Sequence, residues 1–329
     1  MRLGATQAST TATPRQSPSR CPSLLPPDPA DYGLGHCWRS QPATRGLALI
    51  ITLALLWGSN FAWIKISLDS FSPTQVTFGR MLLGALILSL LVMITHDRLP
   101  RDRSTWGHLI IAALVANAAP YLLFALGETR VDSSIAGVMN ATTPLWTLAL
   151  VAAIRPAEAI RPTQVTGFAL GLIGCIVIFA PDNSGIIDPL GTLYCLLAAV
   201  SYAISYVYMA RYLTPKEITP TALAAAQLIA ATGWALLALA AHPRPAPDFA
   251  PGPWAALAIL GIFGTGLAYI INYALIRNEG PTRASIVTYL VPIVSVALGA
   301  AALSEPLTPS LLTGTALVLI GIAISRRTP

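Results

Sequence analysis

"TGFALGLIG", Thr166 to Gly174, returns as "TGTALVLIG", Thr313 to Gly321, with seven of nine positions identical. A chain rich in Ala, Leu and Gly produces some such matching by composition. The residues upstream do not follow from apolar bias. Glu158 and Pro162 precede the first copy as Glu305 and Pro309 precede the second, each pair 147 positions apart. A unit of that length has been used twice.

The 329 residues are 54% hydrophobic and 10% charged, against about 25% charged in an average soluble domain. So few charges cannot cover a soluble fold of this size. The apolar residues also run unbroken, and about 20 of them cross the hydrocarbon core as a helix. Ten such runs stand between charged or Pro-rich breaks: Gly46–Ile64, Pro73–Thr95, Trp106–Gly127, Ser133–Ile154, Thr163–Ala180, Pro189–Ala210, Thr219–Ala241, Pro253–Ile276, Ala284–Ser304 and Pro309–Ser325. Only the second carries a charge, Arg80. Hydrocarbon forces backbone groups to pair within each segment, so these are helices. The expected fold is an all-α polytopic membrane protein with ten transmembrane helices.

A net charge of +6 would suggest nucleic acid for a soluble chain; here its placement sets orientation instead, and no nucleic-acid partner is expected. Of 20 Lys and Arg, 16 fall in the N-terminal region, alternate connectors and the C-terminus. The opposite connectors hold Arg130 and Arg244, with Lys65 at the outer end of the first helix. Both termini are therefore expected in the cytoplasm of a multi-pass protein of the cell (inner) membrane. Cys21, Cys37, Cys175 and Cys195 form no CxxC pattern and the histidines are scattered, so no metal site is expected. No phosphate-binding loop is present, which excludes ATP hydrolysis within the chain; no cofactor is expected.

Residues 1–44 are rich in Ser, Thr, Pro and Arg and lack the apolar core of a secretory signal. They read as a disordered cytoplasmic tail or an overcalled N-terminus, with an organellar transit peptide as a third reading. Residues 45–184 and 185–326 then make two halves of five spans each. Pro73-Thr74 recurs as Pro220-Thr221, Arg80 falls opposite Gln227, and Ala125-Leu126 recurs as Ala274-Leu275. Ala136 and Pro144 recur as Ala284 and Pro292 after slips of one or two residues. Five is odd, so the second half enters the membrane from the opposite side, making two inverted five-helix repeats. Inverted repeats characterise many secondary transporters. The small residues of the opening string serve close helix packing.

At this point the chain resembles the drug/metabolite transporter superfamily and, within it, the EamA-type ten-helix exporters. Four elements carry the resemblance: "WGSNF" (Trp57–Phe61), "SPTQVTFGR" ending at Arg80, "ALGETRVDSSIAGVMNATTP" with its mirror "ALIRNEGPTRASIVTYLVP", and the doubled Glu-to-TG strings. It covers Gly46 to Arg326. It implies two five-helix EamA-like halves around a central cavity and export of small metabolites or drug-like solutes. Arg155-Pro156 before Glu158 departs from the apolar or small residues usual there.

No catalytic residues are expected. A cation inside a span normally faces a cavity or a partner, and Arg80 offers a two-pronged donor face to a carboxylate or phosphate. Polar residues three or four apart share a helix face: Asn117 with Tyr121, Asn140 with Thr143, Tyr202 with Tyr206, and Tyr269 with Asn272 and Tyr273; Thr288 and Tyr289 precede Pro292 in the ninth run. The expected substrate-binding set is Trp57, Asn60, Arg80, Asn140, Tyr269, Asn272 and Tyr273. Glu158 and Glu305, just before helices that begin with Pro162 and Pro309, are expected to act structurally at those N-termini or in gating. Pro144 and Pro292 are expected to break their helices in matching places and allow a hinge. No acid falls within the ten runs, so proton coupling would have to use edge acids such as Glu128, Glu158 or Glu305. The reading is a secondary transporter working by alternating access on a small-molecule substrate, amino acid or drug-like, in a lipid bilayer, with a homodimer left open. The alternatives are an intramembrane enzyme or a non-transporting scaffold.

Overall fold

The computed structural model describes residues 43–154, 162–178, 188–213, 218–242, 246–272, 274–275 and 287–325. Residues 1–42, 155–161, 179–187, 214–217, 243–245, 273, 276–286 and 326–329 lie outside the described residues, and with them Glu158, Tyr273 and the first three residues of the ninth run. The helices are α1 (Ala43–Ser67), α2 (Pro73–Ile94), α3 (Arg103–Glu128), α4 (Ser133–Ile154), α5 (Pro162–Ile178), α6 (Pro189–Tyr212), α7 (Pro220–Ala241), α8 (Pro251–Asn272), α9 (Val287–Leu303) and α10 (Pro309–Ser325). Among the described residues, seven are long and apolar enough to cross a membrane, while α5, α9 and α10 give shorter apolar helices.

Local signals repeat where the sequence repeats. Ser72 caps α2: its Oγ accepts from the Gln75 N–H at 3.4 Å, and the Ser72 N–H donates to Gln75 Oε1 at 2.8 Å. Thr219 caps α7 in the same way, accepting from the Ala222 N–H at 3.3 Å. In both, proline follows at the first helical position, where its missing N–H leaves nothing unpaired.

The third and eighth helices share a second peculiarity. Each contains a widened π turn, Leu114–Ala118 in α3 and Ile262–Leu267 in α8. In α3 the turn precedes Pro120, which lacks an N–H and crowds the carbonyl one turn back. In α8 it carries Gly264 and Gly266. A π turn leaves backbone groups unpaired by the helix itself, and in lipid the protein must satisfy them.

Helix pairing follows the repeat. α5 packs on α10, α2 on α7 and α4 on α9, each helix against its own counterpart. The contacts also give direction. A Cβ at Gly174 would lie 2.8 Å from the Gly314 carbonyl oxygen, and one at Gly321 would lie 2.6 Å from that of Gly167. Advancing along α5 thus means retreating along α10. Across α2 and α7, Met81 groups with Ala231 and Ala235, whereas Leu88 and Val92 group with Ala224 and Ala225. Across α4 and α9, Gly137 meets Ser295 and Gly299 meets Ser134. All three equivalent pairs run antiparallel, as inverted repeats require. The remaining contacts obey the same exchange: α1 packs on α8 and α9, and α6 on α3 and α4.

The two prolines differ. α4 breaks at Thr142, within the turn before Pro144, where Thr142 and Thr143 hydroxyls donate to the Met139 and Asn140 carbonyls at 2.6 and 2.7 Å, the latter being the carbonyl that Pro144 leaves without an N–H; at Pro292 the expected break is corrected. α9 runs without interruption through Pro292. There the Ser295 hydroxyl donates to the Pro292 carbonyl at 3.1 Å, and α9 packs against α1 and α4, contacts that support the helix across the lost N–H.

The α5–α10 seam yields a paired test. Gly174→Ala drives a methyl into backbone atoms of Gly314 and Val318 and should destabilise by about 1–3 kcal/mol. Gly233→Ala meets nothing within 4 Å and should be neutral or gain about 0.5–1 kcal/mol from helix propensity. Melting of the detergent-solubilised variants checks both.

Candidate functional site

Arg80 sits on α2 two turns in from Ser72 and is only 6% exposed. Its Nε donates to Thr265 Oγ1 at 2.9 Å, and its guanidinium carbon stands 3.8 Å from the centroid of the Tyr121 ring. Guanidinium over an aromatic face is an attractive geometry that strengthens away from water. Among the described residues the only ion pair is Arg130 with Asp188, 3.2 Å, well outside this region. Arg80 is therefore a buried cation without a contacting carboxylate from the described residues.

The partner of Arg80, Thr265, lies on the π turn of α8, and its hydroxyl donates in turn to the Leu260 carbonyl at 3.1 Å. The other half repeats the arrangement with amides. Gln227, the counterpart of Arg80, donates through Nε2 to Asn117 Oδ1 at 2.6 Å, and Asn117 lies on the π turn of α3. Asn117 Nδ2 then donates to the Tyr269 hydroxyl at 3.0 Å, joining the two halves. A second pair of bonds holds the same turns. Asn60 Nδ2 of α1 donates to the Gly264 carbonyl at 3.3 Å, and Ser201 Oγ of α6 donates to the Val115 carbonyl at 2.7 Å. The π turns are thus gripped from both neighbours, and their freed backbone groups find partners. Asn60 Oδ1 remains buried without a hydrogen-bond partner among the described residues.

Aromatic contacts extend from this centre. Tyr121 meets Tyr202 edge-on at 6.5 Å, Tyr202 lies 6.1 Å from Phe124, and Phe124 meets Phe61 at 5.4 Å. Of the expected set, Arg80, Asn60 and Tyr269 join the bonded centre around the π turns. Trp57 is half-buried against the core that includes Phe61 and Val291. Asn140 and Asn272 are half-buried and stand outside the hydrogen-bonded set. Thr265, Ser201 and Gln227 were not among the expected residues. Only Gln227 carried a signal, as the twin of Arg80.

A second cluster lies at the end of the bundle where α1 finishes, around a cavity lined by Lys65, Asp132 and Glu305 among others. Lys65 Nζ donates to the Glu128 and Val131 carbonyls, 2.8 Å each, and so caps the C-terminus of α3. Glu305 follows Ser304, whose φ of 57° turns the chain back over Gly299. Its carboxylate accepts from the Ser133 N–H at 2.7 Å, the Ser134 N–H at 3.0 Å and the Ser134 hydroxyl. Glu305 thus caps α4, not α10, whose N-cap is Thr308; it acts on a helix N-terminus, but on one from the other half. Glu128 also differs from expectation. α3 extends through it, and it is buried. In the short connector between them, burial first and Glu305 second push the Asp132 carboxyl upward, against Lys65. At the mouth of α6 the Gly191 N–H, with help from Arg130, holds Asp188 below the usual carboxylate range.

Comparison with known sequences matches residues 44–180 and 189–327 to the EamA-like transporter family, once for each half. The chain is similar to an uncharacterized transporter, YvbV, of Bacillus subtilis, 26% identical over 292 residues that cover 87% of this chain and 93% of that one. It is similar to an uncharacterized inner membrane transporter, YedA, of Escherichia coli K12, 28% identical over 76% of this chain and 80% of the other. A transporter of Archaeoglobus fulgidus is 27% identical over 84% and 96% of the two chains. One crystal structure superposes with a TM-score of 0.62 at 21% identity, covering 86% of this chain and 96% of its own; that likeness concerns the fold.

Thr265→Val keeps the shape but removes the acceptor for Arg80 Nε. It should cost about 1–3 kcal/mol, the penalty for a buried donor left unpaired, whereas Thr265→Ser should stay near wild type; melting in detergent distinguishes them.

Proposed function

The chain belongs to the EamA-like transporter family, and we propose that it exports small solutes carrying an anionic group across the cell membrane by alternating access. It is a multi-pass membrane protein and a transporter of that family. Direction, substrate class and mechanism are our reading of the site. The observation that carries it is Arg80: a buried guanidinium with an aromatic face on one side and no contacting carboxylate among the described residues. Such a cation is expensive inside a membrane unless it is used.

A guanidinium holds a carboxylate best through two parallel N–H groups. With Nε committed to Thr265, the two terminal nitrogens are the edge left for that pairing. Tyr121, Tyr202 and Phe124 supply an apolar and aromatic flank. Amino acids and weakly anionic drug-like molecules combine those features. Asn60, whose side-chain oxygen beside Gly264 has no hydrogen-bond partner among the described residues, adds an acceptor that suits an ammonium or amide on the substrate.

Alternating access draws on the antiparallel halves. Two copies of one fold in opposite orientations can exchange conformations, so a site between them faces each side in turn. Arg80 and Gln227 hold equivalent places, each hydrogen-bonded to the opposite half or its neighbour's π turn. Positive-inside charge places both termini in the cytoplasm in this reading.

Arg80→Gln installs the residue that the counterpart position already carries. The variant should insert and fold, and counterflow of radiolabelled amino acids in proteoliposomes should fall roughly tenfold or more, at least 1.4 kcal/mol of lost binding. Unchanged counterflow by a stably inserted variant would remove Arg80 from the site.

A further inference from the structure

Glu128 and Glu305 face the same small region, yet their surroundings are opposite. Glu305 accepts from two backbone N–H groups and a hydroxyl. Glu128 is 1% exposed, and neither carboxyl oxygen receives a hydrogen bond from the described residues. Lys65 is a cationic neighbour, but its ammonium is engaged with the Glu128 and Val131 carbonyl oxygens and makes no ion pair with the carboxyl. The other charged and titratable groups facing it are Arg80 from α2, Glu305 from the α9–α10 connector and the Cys195 thiol from α6. Asp132, in the following connector, faces Lys65 and Glu305.

An ionised carboxyl enclosed without donors carries a desolvation penalty of several kcal/mol, and a neutral acid avoids it. Two carboxyls with environments this different take different roles.

We infer that Glu128 is the proton-binding site of the transport cycle: it holds a proton while this end of the bundle is closed and gives it to water when this end opens. The inference deepens the transport reading and rests on it. The structure shows what opening must undo. Lys65 of α1 holds the α3–α4 turn, and Glu305 from the second half holds the first N–H groups of α4. Parting those two clamps admits water to Glu128. The carboxyl O–H bond then breaks heterolytically, the proton passes to water, and the carboxylate stays opposite a Lys65 ammonium released from its carbonyls. Closure requires the proton back, since the clamped geometry offers the anion no donor. One proton exchanges per opening, with no change of oxidation state. Acid at this face favours the closed form and alkali the open one.

The test uses the full chain in vesicles of phosphatidylethanolamine and phosphatidylglycerol, with two readouts. In the first, infrared spectra at neutral pH should contain the carbonyl stretch of a protonated carboxyl. That band should be lost in Glu128→Gln, displaced in Glu128→Asp and retained in Asp132→Asn. Identical spectra for wild type and Glu128→Gln would overturn the inference without touching the transport reading, because no substrate is involved. In the second, amino acids that show counterflow are offered under an imposed pH gradient. Glu128→Gln should keep counterflow and lose gradient-driven accumulation; accumulation equal to wild type would overturn the assignment. If no amino acid moves even in wild type, the transport reading of the substrate fails and the infrared result decides on Glu128 alone. If Glu128→Gln fails to insert, the displaced band of Glu128→Asp decides.

Discussion

Gly174 and Gly314 bring two backbones into contact with their chains running in opposite directions. The two glycines belong to the same nine-residue string in its two copies. Only small residues allow helices to approach this closely in a membrane, where packing replaces the hydrophobic drive between helices. Because the contact is antiparallel and joins equivalent segments, it fixes the relation between the halves. The α2–α7 and α4–α9 contacts then follow the same exchange. A pseudo-two-fold relation is thereby written into helix packing itself.

Within that frame, the hydrocarbon requirement that every backbone group find a partner shapes the centre. The π turns of α3 and α8 release carbonyls, and the protein answers with Asn60 on one and Ser201 on the other. It also aims Arg80 at Thr265 and Gln227 at Asn117. The halves have kept the architecture and divided the chemistry. One position carries a permanent cation, its counterpart a neutral amide. The single charge makes the centre cationic on one side, and the Tyr121 ring lies against it; the proposed preference for anionic groups rests on that asymmetry.

Much of the fold was legible because bilayer thickness and charge placement act on local sequence. Span positions, the second-half counterpart of each helix and the inversion followed from run length, an odd count and recurring Pro-Thr and Glu-Pro pairs. Arg80 stood out because a charge inside an apolar run is rare. What could not be read is long-range pairing: Arg80 with Thr265 is a contact across 185 residues, and nothing in helical spacing names that partner. Sequence order sets Glu305 against the next helix, whereas a left-handed Ser304 turns it onto α4. An apolar run stops short of Glu128 because it does not show that the helix takes in its first acid. Proline usually breaks a helix, yet α9 is continuous through Pro292. Glu158 and Tyr273 fall outside the described residues.

The inversion is most directly tested by the sidedness of two equivalent connectors. Ile154, at the end of α4, and Leu307, after α9, are both about half exposed at 51% and 52%. In a cysteine-free background, Ile154→Cys and Leu307→Cys would be treated in intact cells with a membrane-impermeant maleimide. The inverted arrangement predicts that Leu307→Cys reacts from outside and Ile154→Cys only after permeabilisation. Reaction of both from the same side would contradict it.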